Sequence, residues 1–184
     1  MINAVVALVG YAGFLYLVFV VRTDRAIWVR FSSRADVAAG AVLVIALSCS
    51  LVSPLLVLFH RLHPWASPPA AILAGAVLLA VGVAGALAAQ RQLGPAWQPG
   101  IDPHDHPPLI TDGVYRRSRH PFYVGWVLVA AGVALISPTP LTVAGLAGFI
   151  VSLEIVVRLV EEPALRATHS RAYAEYARRT RRFV

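Results

Sequence analysis

The 184-residue chain is 58% hydrophobic and only 14% charged, with a formal net charge of +7. Its apolar residues come in blocks with arginines between or after them, which excludes an ordinary soluble domain and turns the positive charge away from nucleic acid and toward anionic membrane lipids. All 16 basic residues are arginine, and the single cysteine, Cys49, allows neither an internal disulfide nor a thiolate zinc cluster.

A helix of about 20 residues spans the hydrocarbon core of a bilayer. Five blocks reach or approach that length, at roughly 3–21, 37–59, 69–89, 122–136 and 140–160. They predict one all-α integral membrane domain. The first block lacks a basic stretch before it and is followed at once by Arg22, Arg25, Arg30 and Arg34. That pattern reads as a retained span, not a cleaved signal peptide. The next connection, 60–68, carries only Arg61, with His60, His63 and Trp65 suited to a headgroup layer. In the third block Ala71 and Gly75, and Gly82 and Gly85, are small residues suited to close helix packing. No strand precedes these glycines, so they are not a nucleotide-binding loop.

Leu93 to Tyr115, LGPAWQPGIDPHDHPPLITDGVY, is rich in proline and glycine and reads as an irregular lid or cofactor-facing loop. Asp102, His104, Asp105 and His106 are crowded within five residues, without a regular scaffold, and are not read as a metal site. GVYRRSRHPFYVGW then leads into the short fourth span. Pro121 suits a first helical turn, and Arg116, Arg117 and Arg119 suit a positive flank. His120 stands at a helix start beside arginines, where the dipole and the neighbouring charges favour the neutral ring. A plain boundary and a ligand-binding site both fit this stretch.

Ser137, Pro138, Thr139 and Pro140 make a tight break, so the fourth and fifth spans form a hairpin. Glu154, Arg158 and the Glu161–Glu162 pair follow helical spacing and read as one alternating-sign stripe, either an ion-pair ladder or a ligand-facing site. The hairpin should bring His120 close to Glu161 and Glu162. From Pro163 the chain reads as a separate basic amphipathic helix, with Leu165, His169, Tyr173 and Tyr176 near one face, suited to the membrane surface. Arginines number four in 22–36, one in 60–68, four in 90–121 and seven from Arg158 onward. That asymmetry predicts the N-terminus outside and the C-terminus with the polar clusters in the cytoplasm. A short, lysine-free chain fits a bacterial inner membrane.

LITDGVYRRSRHPFYVGW resembles the signature of the isoprenylcysteine carboxyl methyltransferase and phospholipid methyltransferase group of integral membrane enzymes, through Gly113, Tyr115, Arg119, His120, Pro121, Tyr123 and Gly125. The family's second signature, a paired glutamate with a downstream leucine and tyrosine, is matched by Glu161, Glu162, Leu165 and Tyr173. The resemblance implies that 1–89 supplies three N-terminal spans and 90–184 the cofactor-binding half. It implies S-adenosylmethionine as cofactor, held by Leu109, Ile110, Tyr115, His120, Pro121, Tyr123 and Glu161. The acceptor would be a lipophilic molecule or lipid entering between spans. Arg158 would position a carboxylate acceptor, and Glu162 would receive the proton of an amine acceptor. An NADPH-dependent lipid reductase, whose C-terminal signatures are similar, and a non-catalytic scaffold are the alternatives.

Overall fold

A computed structural model describes residues 1–21, 34–97 and 107–184. α1 runs Ile2–Tyr16 and widens into a π turn over Leu17–Val21, followed by α2 (Arg34–Leu58), α3 (Pro69–Leu93), α4 (Pro121–Ile136), α5 (Pro140–Val156) and α6 (Glu162–Arg179). Four helices are long and apolar enough to cross a membrane, α5 and α6 forming one of them together, while α4 is shorter at 16 residues. Val9, Ile45, Leu73 and Val81 are among many large apolar side chains left exposed on the bundle. In water such a surface would be costly, and in lipid it is the ordinary exterior.

Proline opens α3, α4 and α5 in the first turn, where its missing N–H costs nothing. At α5 the break is reinforced by a capping box. The Thr139 hydroxyl accepts from the Thr142 N–H at 3.0 Å, and the Thr142 hydroxyl accepts from the Thr139 N–H at 2.8 Å. Thr139 also shares a 2.6 Å hydrogen bond with Ser53 of α2, which pins the turn to the bundle. On the same side, the Trp65 N–H donates to the Pro138 carbonyl at 2.8 Å. The connection between α2 and α3 and that between α4 and α5 therefore share one end, leaving the polar clusters at the other.

The hairpin of α4 and α5 forms, yet the broadest partner of α4 is α3. The reason is glycine. A Cβ added to Gly82 would lie 2.5 Å from the Gly125 carbonyl oxygen, and one added to Gly132 would lie 2.6 Å from that of Gly75. Side chains are absent where the two backbones touch, as in close membrane crossings. On another face of α4, Trp126 meets the rings of Phe14, Phe19, Phe122 and Phe149 at 5.4–5.8 Å between centroids. These rings, with the fully buried Tyr11, Val18 and Val129, form the centre of the bundle.

The tail helix begins where expected, α6 starting at Glu162 with Pro163 in its first turn, but α5 leads into it without a break through a π turn at Val157–Glu161. The bend comes later, at Ser170, with φ 41° and ψ −110°. An L-residue strains in that region and glycine does not. Ser170 is exposed and would lose little contact on truncation. Ser170→Gly is therefore expected to stabilise the protein by about 1 kcal/mol, raising its melting temperature in detergent by about 2–4 °C.

Candidate functional site

The site is built where the segment before α4, the junction of α5 and α6, and the C-terminal segment after α6 meet. Gly113 opens a 3₁₀ turn over Gly113–Arg116 with φ +53°. Gln92, at the end of α3, clamps that turn. Its Nε2 donates to the Asp112 carbonyl at 2.7 Å and its Oε1 accepts from the Val114 N–H at 3.0 Å. A Cβ at Gly113 would lie 2.3 Å from the Gln92 amide. The glycine-x-tyrosine element thus needs glycine for both its backbone angle and its space.

Tyr115 points inward. It is buried, its hydroxyl donates to the Ala89 carbonyl at 3.4 Å, and its own carbonyl accepts from the Tyr176 hydroxyl at 2.6 Å. Tyr173 and Tyr176 are both buried, so the aromatic face of the tail covers protein, not lipid headgroups. Beyond α6 the chain runs back beside residues 118–120. The Arg119 N–H donates to the Arg181 carbonyl at 2.9 Å, and the His120 N–H to that of Arg182 at 3.2 Å. This return places the Arg182 side chain against Glu162.

Glu162 is the most heavily partnered group of the cluster. Arg182 grips it with two hydrogen bonds, Nε to Oε1 at 2.8 Å and NH2 to Oε2 at 2.9 Å. Arg119 NH2 lies 3.0 Å from Oε1, His120 Nε2 lies 3.7 Å from the same oxygen, and Arg166 NH2 lies 3.7 Å from Oε2. The residue is only 2% exposed. Burial acts to raise its pKa, but the adjacent His120 imidazole, the Arg182 hydrogen bonds and the Arg119 charge outweigh it, holding the carboxyl well below the usual carboxylate range.

Glu161 is more open. Its side chain is 24% exposed, its Oε2 lies 3.3 Å from His120 Nδ1, and its Oε1 accepts a hydrogen bond from the Tyr123 hydroxyl. His120 stacks on Tyr123 at 6.0 Å with 17° between the rings, and Phe183 stands 5.9 Å away on another side. The proximity of His120 to both glutamates matches the hairpin expectation. Its pKa is not lowered as expected: burial acts to lower it, yet Glu161 and Glu162 more than compensate, so it rises above 6.5. Arg119 pairs with Glu162, and the ring faces two carboxylates.

The expected stripe of Glu154, Arg158 and the Glu161–Glu162 pair forms only in its first half. Arg158 pairs with Glu154 through its Nε, its side chain is 58% exposed, and among the described residues no ion pair continues from it to Glu161 or Glu162. A π turn holds one residue more than an α turn, so the register shifts by about 100° between Arg158 and Glu162. Of the other expected site residues, Leu109 and Ile110 lie half-buried in the extended segment before the 3₁₀ turn, and Pro121 is half-buried at the start of α4. Asp102, His104, Asp105 and His106, and Arg22, Arg25 and Arg30, lie outside the described residues.

Sequence reasoning missed Arg119, Arg166 and Arg182 as partners of Glu162. The basic ending was a signal for them, but no local spacing says which arginine folds back. Across the chain, residues 70–172 match the family model described as phospholipid methyltransferase, more than half of the sequence, including the first signature and Glu161, Glu162 and Leu165 of the second. No curated protein matches the chain. With the family match spanning the helices that build this cluster, the chain belongs to the phospholipid methyltransferase family, membrane methyltransferases acting on lipid-type substrates.

Proposed function

We propose that the protein transfers a methyl group from S-adenosylmethionine to a lipophilic acceptor at the end of the bundle where α4 meets the junction of α5 and α6. The carrying observation is the constellation of Glu161, Tyr123 and His120: a partly exposed carboxylate fixed from two sides beside a fully partnered one. The cofactor brings an already activated methyl group, so the acceptor's lone pair can form the new bond as the carbon–sulfur bond breaks, and no covalent enzyme nucleophile is needed.

The residues suit such a cofactor. Glu161 offers a carboxylate to an ammonium or to ribose hydroxyls, and Tyr123 and His120 hold that carboxylate in one orientation. Leu109, Ile110 and Pro121, in the segment leading into α4, are half-buried apolar residues that could take part in holding the cofactor. His120 Nε2, Arg119 Nε and the Tyr173 hydroxyl are buried without a hydrogen-bond partner, a polar reserve within the same cluster.

O-methylation of a carboxylate is the favoured chemistry. It needs no base, and Arg158, exposed and held only by Glu154, can receive the acceptor's anion from the lipid side. N-methylation of an amine requires a proton acceptor, and Glu162 is a weak base while Arg119 and Arg182 hold it. The arginine distribution along the sequence supports a cytoplasmic site in a bacterial inner membrane.

His120→Ala and Glu161→Ala, purified folded in detergent, are each expected to weaken S-adenosylmethionine binding about tenfold or more by calorimetry. Arg171→Ala, at an exposed ion pair on α6, should leave it unchanged. Unchanged affinity in both site variants would overturn the assignment. Radiolabelled methyl transfer to a lipid extract then tests the chemistry. Alkali should release the label as methanol if a carboxylate is the acceptor, and alkali-stable label would show N-methylation.

A further inference from the structure

A second concave region lies on the other side of α4 from Glu161. Pro121, Val124, Gly125 and Leu128 share one face of that helix, about 100–200° from Tyr123. With Val81 and Gly85 of α3 they line an open groove of about 990 Å³. From Gln92 at its mouth to Val81 at its far end, the groove follows α3 for about 16 Å. The lower part is apolar and faces outward, where lipid would lie.

The rim has the opposite character. Arg116, Arg117, Arg179 and Arg181 line the mouth, and all are exposed. None forms an ion pair among the described residues, whereas Arg119, Arg166 and Arg182, close by in sequence, all turn to Glu162. Two pairs of arginines from distant parts of the chain, uncompensated, therefore crown an apolar channel. Gly85 marks the wall: a Cβ built there meets nothing within 4 Å, so the groove has room beside it.

We propose that this groove binds one anionic phospholipid, its phosphate among the four rim arginines and an acyl chain along Val81, Gly85, Val124 and Leu128. Charge complementarity selects the headgroup, and the apolar floor selects a lipid over a soluble anion. The lipid is not the methyl acceptor, because α4 separates the groove from Glu161. Its effect is to tether the C-terminal segment, since Arg181 supplies a rim side chain while its carbonyl receives the Arg119 N–H at 2.9 Å. Occupation of the groove thereby favours the folded-back tail that carries Arg182 to Glu162.

The test uses the full chain in detergent micelles with added phosphatidylglycerol, phosphatidylcholine or inorganic phosphate. Native mass spectrometry counts retained lipid, and intrinsic fluorescence follows melting. Phosphatidylglycerol should be retained at a one-to-one ratio about tenfold more tightly than phosphatidylcholine and should raise the melting temperature. The double variant Arg117→Gln with Arg181→Gln should lose that preference. Gly85→Leu, whose Cβ meets nothing within 4 Å and whose longer side chain would occupy the channel, should lose retention of both lipids while melting normally without them. Equal retention of the two lipids, a preference that survives both variants, or the same stabilisation from inorganic phosphate alone would each overturn the proposal.

Discussion

Replacing Glu162 with glutamine should cost the fold about 3 kcal/mol, the largest loss expected from any polar substitution in the C-terminal half. The variant keeps the volume and one acceptor oxygen but removes the charge that Arg119 and Arg182 were buried against. The Arg119 side chain is 9% exposed and cannot turn to water without pulling apart the segment it belongs to. Arg182→Gln removes the bidentate grip but from a partner 26% exposed, and about 1 kcal/mol is expected. Thermal unfolding in detergent should rank the two in that order, and an equal or reversed ranking would deny Glu162 its organising position. The same cluster predicts a pH window. Glu162 has a depressed pKa, so its contribution is complete above its ordinary 4.5 and is lost as pH falls toward the folded value. His120 has a raised pKa, so its contribution is complete below its ordinary 6.5 and is lost as pH rises through the folded value. The cluster should therefore be firmest between about pH 4.5 and 6.5, and Glu162→Gln should flatten the acid side of the profile.

Much of this architecture is legible in the sequence because membrane helices announce themselves by composition. The spans, the break at Ser137–Pro140 and the meeting of His120 with the paired glutamates all follow from apolar blocks and one short turn. What escapes is whatever depends on a change of helical register or on a return of the chain. Extrapolating α-helical spacing from Glu154 through Arg158 to Glu162 fails because a π turn intervenes, and no residue between them marks it. The arginines beside His120 in sequence suggest a lowered pKa, but Arg119 pairs with Glu162, over forty positions away, and the ring faces both glutamates. Gly82 was legible as a packing residue, but not its partner. Small residues recur in every span, and only the three-dimensional structure shows that Gly82 and Gly125 touch.

That contact carries the second large effect. Gly125→Ala is expected to destabilise the protein by about 2–3 kcal/mol although it adds a single methyl group. The new Cβ would lie 2.6 Å from the Ala86 nitrogen and 2.7 Å from the Gly82 carbonyl oxygen. Both are backbone atoms, so no rotamer change relieves the overlap, and α3 and α4 must separate. Gly85→Ala, one turn from Gly82 on α3, meets nothing within 4 Å and should be neutral or slightly stabilising, since alanine is the better helix former. The pair separates crowding from a general intolerance of change in these helices. The consequence for the site is indirect but specific. His120 caps α4 and Tyr123 lies in its first turn, so a shift of α4 away from α3 moves both relative to Glu161, which is carried by the junction of α5 and α6. Gly125→Ala should therefore weaken cofactor binding in the protein that remains folded, whereas Gly85→Ala should leave affinity unchanged. If Gly125→Ala melts like the wild type, the glycine contact is not what holds α4 against α3.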